Sequence, residues 1–95
     1  MYYISHRGNL KGSKPEYENH PNYIKKALSM GYDVEIDVWY LDKFFLGHDI
    51  PQYEIEISFL QNPKLWCHAK NIEAIVMMEK LSKIHYFFIK MMILL

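Results

Sequence analysis

The sequence predicts an α/β fold in which the strands of a parallel sheet alternate with helices. Three observations carry that expectation. Residues 33–40 place Val34, Ile36 and Val38 on one side and Glu35, Asp37 and Trp39 on the other, the two-residue period of a strand. Ile24, Ala27 and Leu28 share one face at helical spacing before a glycine stop at Gly31. The candidate elements then run in the order β-α-β-hairpin-β-α-β, and such alternation favours parallel pairing.

Each element has a local cause. Residues 2–5 read as a short buried strand ending at His6-Arg7-Gly8. Residues 9–17 contain Gly12, Ser13 and Pro15 and read as loop. Asn19 is a good helix N-cap, and Pro21 suits a first turn where its missing N–H costs little. Asp42-Lys43 makes a plausible turn, and residues 44–46 return as a short strand before Gly47-His48-Asp49. Residues 50–63 fit two readings: Tyr53, Ile55 and Ile57 alternate like a strand, while Ser58-Phe59-Leu60 suits a short helix. Residues 65–70 read as a strand between Pro63 and Asn71. Asn71 then caps a helix running to about Lys83, and residues 84–89 read as a last strand.

Composition bounds the functional classes. The chain has 95 residues, of which 51% are hydrophobic and 16% aromatic. A chain of this length buries a modest core, so that excess points to apolar surface meant for a partner, for further chain or for self-association. Eleven basic residues balance eleven acidic ones, so no overall field draws the chain to nucleic acid or to an anionic membrane. The single cysteine, Cys67, leaves no internal disulfide and fits a reducing, cytoplasmic setting. No signal peptide opens the sequence, and the apolar tail is too short to span a bilayer.

Several residues carry chemistry. Glu35 and Asp37, at i and i+2 on a strand, project to one face. Two such carboxylates repel inside a protein unless a cation lies between them, and oxygen ligands suit Mg²⁺ or Ca²⁺. A solvated strand face opposite a buried one accounts for the same pattern. His6 and His48 follow strands and can act as acid and base, because imidazole titrates near neutrality. Arg7 has a planar fork that can hold two phosphate oxygens, or equally a surface carboxylate. His20, in a capping region, reads as structural, and His85 has no assigned role.

Together these residues form a pattern. His6-Arg7-Gly8, Glu18-Asn19, Glu35-Ile36-Asp37-Val38 and Gly47-His48-Asp49 resemble, in order and approximate spacing, the glycerophosphodiester phosphodiesterase family, over about residues 2–83. The resemblance implies the N-terminal part of a (β/α)₈ TIM-type barrel, incomplete here because a closed barrel takes ~250 residues. It makes residues 1–88 a partial domain of that kind. It implies a hydrolase, a metal-assisted phosphodiesterase acting on a glycerophosphodiester or phospholipid head group in lipid metabolism. His6 and His48 become the catalytic pair, Arg7 a phosphate contact, and Glu35 and Asp37 metal ligands, with Glu18 and Asn19 supporting the site. The family continues with a third acidic ligand on the next strand, then a lysine two residues on. Here Lys70 matches the lysine as a further phosphate contact, and His68 stands in the ligand position. Histidine shifts the expected ion from Mg²⁺ or Ca²⁺ toward Mn²⁺ or Zn²⁺. Cys67 should face the other way. The alternative is a non-catalytic binding module derived from the same domain.

Residues 89–95 suit neither a barrel interior nor a loop. Read one nucleotide earlier, the codons of Lys90-Met91-Met92-Ile93 give Asn or Asp, then Asp, then Asp. A frameshift near Phe88 is therefore expected, and the tail is read as out of frame; the alternative is a genuine apolar C-terminus that docks on a partner.

Overall fold

The structure, a computed structural model, describes residues 3–81, 84, 86 and 87. The expected strand at residues 84–89 is seen as Tyr86–Phe87, and His85 and the tail at 89–95 lie outside the described residues.

The chain forms β1 (Ile4–His6), α1 (Pro21–Ser29), β2 (Asp33–Tyr40), β3 (Phe44–Leu46) and β4 (Tyr53–Ile55). It continues with α2 (Ile57–Leu60), β5 (Leu65–Ala69), α3 (Ile72–Lys80) and β6 (Tyr86–Phe87). The strands make one sheet in the order β4-β3-β2-β5-β6, with β1 also paired to β2. Pairing is parallel for β1 with β2, β2 with β5, and β5 with β6. It is antiparallel for β2 with β3 and β3 with β4.

This mixed sheet corrects the expected barrel segment. An alternating barrel needs each strand to be followed by a helix and to pair in parallel. Here β2 reverses at Asp42, whose φ of 62° makes the tight turn, and β3 and β4 fold back as a meander. β1 pairs with β2 at Asp33 to Glu35, whereas β3 pairs with it at Val38 to Tyr40. The antiparallel meander therefore closes one side of the sheet, and the chain is not an alternating barrel fragment. Residues 50–63 satisfy both readings of the sequence, with the strand first and a one-turn helix after it.

One sheet face is the core. Val34, Ile36 and Val38 of β2 and Leu65, Cys67 and Ala69 of β5 are fully buried. They pack with Ile24 and Ala27 of α1 and Ala74 and Met78 of α3. Helix α1 is capped by His20, whose Nδ1 accepts from the Asn22 N–H, and not by Asn19. Helix α3 is capped as the sequence suggests: Asn71 Oδ1 accepts from the Ala74 N–H. The same Asn71 also bonds the Tyr40 backbone at both its N–H and its C=O. One side chain thus starts α3 and fixes the end of β2. Cys67 faces this core, as expected, and burial pushes its thiol up to about 12.

The opposite face of β2 carries Asp33, Glu35, Asp37 and Trp39. Register places His6 beside Glu35, Trp66 beside Glu35 and His68 beside Asp37. Among the described residues, no helix is long and apolar enough to cross a membrane.

The loop after β3 is tightly built at Gly47. A Cβ there would collide with the Ile50 carbonyl oxygen, whereas one on Gly12 would meet open space. Gly47→Ala is expected to destabilise the fold by about 1–3 kcal/mol. Gly12→Ala should cost only the left-handed backbone term, about 1 kcal/mol. Urea unfolding of the two variants checks the order, and equal losses would refute the close approach at Gly47.

Candidate active site

Residues that end parallel strands gather around Asp37. Its side chain is almost wholly buried on the polar face of β2. Asp37 Oδ2 lies 2.8 Å from Arg7 Nε and accepts from Asn19 Nδ2 at 2.9 Å. Its other oxygen, Oδ1, lies 3.1 Å from His68 Nδ1. Asn19 Oδ1 also accepts from the Asp37 backbone N–H at 2.9 Å, so both ends of that amide hold one residue.

The geometry needs an unusual backbone. Arg7 and Asn19 both take left-handed conformations, with φ of 56° and 67°. Asparagine tolerates this region; arginine does so at a cost of roughly 1–2 kcal/mol. Two hydrogen bonds hold the turn: the Arg7 N–H donates to the Glu35 carbonyl at 2.7 Å, and the Asn19 N–H to the Arg7 carbonyl at 3.1 Å. Gly8 follows at φ 90°, packed so closely that an added Cβ would press on Tyr23. The β1–α1 loop is thereby folded onto the end of β2.

Glu18 anchors the same loop. It takes Arg7 Nη1 at 3.0 Å, Asn9 Nδ2 at 2.9 Å and the Ser13 hydroxyl at 3.0 Å. Burial pushes its carboxyl up, but those three hydrogen bonds and the Arg7 charge outweigh it and hold it below the usual range. Arg7 is therefore clasped by two carboxylates, and its side chain is only 12% exposed. Burial likewise pushes Asp37 up. The bonds from His68 and Asn19 and the charges of Arg7 and Lys70 more than offset that, and bring it down to about 2.

The two candidate catalytic histidines lie outside this buried cluster. His6 Nε2 meets Glu35 Oε1 at 2.9 Å, and the imidazole is half exposed. His48 Nδ1 meets Asp49 Oδ1 at 3.0 Å, also at the surface. The backbone that leads into His48 is fixed to β2: the Gly47 N–H donates to the Asp37 carbonyl, and Trp39 Nε1–H to the Gly47 carbonyl. A cleft of about 290 Å³ separates His48, Asp49 and Gln52 from Glu18 and Pro15. His6 does not line it. The structure thus brings Arg7, Asp37 and His68 together with Lys70 nearby, pairs His6 with Glu35, and sets His48 across a cleft from the Arg7 anchor.

Among the described residues, no three His, Cys, Asp or Glu side chains group so as to hold a metal ion, and each carboxylate expected as a ligand has partners of its own. Asp37 is already met by a guanidinium, an amide and an imidazole, and Glu35 by His6. Local pattern read Asn19 as a cap, and the family resemblance gave Glu18 and Asn19 a supporting place in the site; neither showed that Asn19 holds Asp37 at two points, nor the support from Asn9 and Ser13.

Comparison with family models, curated proteins and solved structures gave no match.

The low carboxyl of Asp37 has a pH signature. A depressed folded-state value stabilises the fold above the unfolded value near 4, and the stabilisation is lost as pH falls toward 2. Urea unfolding from pH 6 to pH 2 should show that loss, worth about 2 kcal/mol. Asp37→Asn should be less stable by about 3 kcal/mol at pH 6, because Arg7 keeps its charge in a mostly buried setting, and its curve should lose the Asp37 part of the acid step, leaving that of Glu18. Parallel pH profiles for the two proteins would exclude this role of Asp37.

Proposed function

We propose that the chain cleaves a small phosphodiester, of the glycerophosphodiester or phospholipid head-group type, by general acid–base catalysis with His6 and His48. The observation that carries this reading is the pairing of each exposed histidine with a carboxylate, Glu35 and Asp49, beside a rigid buried cluster at the strand ends. In each pair one ring nitrogen is fixed, so the other is aimed: Nδ1 of His6 and Nε2 of His48. Ligands in sheets with parallel strands commonly bind beyond the carboxyl ends of those strands, where His6, Arg7 and Lys70 lie. The four-part resemblance to glycerophosphodiester phosphodiesterases supports the same chemistry.

In this mechanism one imidazole removes the proton from the attacking hydroxyl, of water or of the substrate itself. The other gives its proton to the departing alkoxide, so that no net proton is gained or lost. Lys70 and Arg7 supply positive charge near the phosphoryl oxygens. The carboxylates that would hold a metal are already bonded, Glu35 to His6 and Asp37 to Arg7, Asn19 and His68. A divalent ion such as Mg²⁺, Ca²⁺, Mn²⁺ or Zn²⁺ would have to displace Arg7 from Asp37 and His6 from Glu35. A reducing, cytoplasmic setting belongs to the same proposal, supported by the free, buried Cys67.

A second reading, a non-catalytic binding module, is favoured by one observation: Arg7 is neutralised internally by Asp37 and Glu18. Hydrolysis of bis(p-nitrophenyl) phosphate and of glycerophosphocholine, with chelator and with each ion, separates the two. Turnover is expected to fall at least ~100-fold in His6→Ala and in His48→Ala, with unfolding midpoints little changed. A folded chain with no turnover under any of these conditions would leave the binding module as the function.

A further inference from the structure

The overall charge balance of the sequence conceals a local imbalance on the outer side of α1. The β1–α1 loop and α1 border an open cleft of about 370 Å³ that Lys11, Lys14 and Lys26 help to line. All three lysines are exposed, and none lies within 4.0 Å of a carboxylate among the described residues. Among the described residues, no acidic side chain lines the cleft. Glu18 and Glu16 act on the Tyr23 hydroxyl. Glu18, however, is held by Arg7, Asn9 and Ser13, and neither carboxylate reaches the lysines.

The rest of the lining is aromatic and apolar: Tyr23, Tyr32, Leu10 and Met30. Met30 and Tyr32 continue into a second, shallower depression of about 250 Å³ that also includes Tyr3. Tyr3 and Met30 stand out from the surface, 68% and 58% exposed. Ammonium groups beside protruding tyrosine and methionine make up the composition of a surface that sits at a bilayer interface. The charges meet head-group phosphates there, and the rings and thioether enter the boundary.

We propose that this face docks on the surface of an anionic lipid bilayer. A soluble anion is a poorer occupant, because enclosed ligand sites aim a few fixed polar groups inward. Here the cationic groups are flexible and solvent-exposed, and the apolar side chains project outward. Docking by this face is separate from the reaction proposed above. It is built from α1, the loops on either side of it and Tyr3, and uses none of His6, His48, Glu35 or Asp37.

The test is binding of the full chain to vesicles of phosphatidylcholine with and without phosphatidylserine, followed by co-sedimentation. Binding is expected only with phosphatidylserine, and it should weaken as salt is raised. Neutralising one lysine should cost about fivefold in affinity, and Lys11→Gln, Lys14→Gln and Lys26→Gln together roughly 100-fold. Lys80→Gln, on an exposed lysine outside the cleft, should bind within about twofold of the parent. Circular dichroism confirms folding, and Met30→Ser provides a second variant that leaves charge intact yet should weaken binding. Equal binding to neutral vesicles, no vesicle binding, or a triple variant that binds like the parent overturns the proposal. Full displacement from vesicles by millimolar glycerol phosphate would likewise overturn it, in favour of a soluble phosphate ligand.

Discussion

The buried carboxylate of Asp37 is the constraint around which the rest is arranged. An ionised carboxylate almost without solvent access must be met by donors and by positive charge, or it takes up a proton. Arg7, Asn19 and His68 meet that need from three separate stretches of chain. Satisfying one group therefore fixes the β1–α1 loop, the entry to α1 and the neighbouring strand β5. Arg7 and Asn19 reach that carboxylate from left-handed backbone, a cost that the surrounding hydrogen bonds hold in place.

From that centre the arrangement spreads outward by backbone. The Asp37 carbonyl receives the Gly47 N–H, which holds the loop carrying His48. The Glu35 carbonyl receives the Arg7 N–H, while the Glu35 side chain orients His6. The two exposed histidines thus depend on consecutive positions of a single strand face, although they lie some forty residues apart in sequence. A site of this kind separates its tasks: charge buried in the cluster gives rigidity, and groups left at the rim face a ligand.

Much of the fold was legible in local pattern. The strand at Asp33–Tyr40 was plain because Val34, Ile36 and Val38 alternate with polar residues, and Asn71 announced α3 because its side chain can accept from an orphan N–H. The turn at Asp42 was legible too, but its consequence was not. Whether a hairpin is an excursion from an alternating series or the edge of a mixed sheet depends on which strand lies beside β2. That is settled by pairing between residues distant in sequence. Asn19 was misread for a related reason. An asparagine before a proline-initiated turn looks like a cap, and nothing local says that its amide will instead be taken by a carboxylate eighteen residues on.

The sequence by itself determined most of the strands and helices, residues 50–63 excepted, and which face of β2 is polar. It also set the chemistry available at the strand ends: two histidines, an arginine, a lysine and two carboxylates. Those features follow from periodicity and from side-chain type, which act over a few residues. The tertiary structure alone decided that Asp37 is spoken for by Arg7, Asn19 and His68, and that Glu35 serves His6. It alone gathered three lysines of a neutral chain on one side of α1. Electrostatic partnership is a matter of a few ångströms in space, and distance along the chain does not encode it.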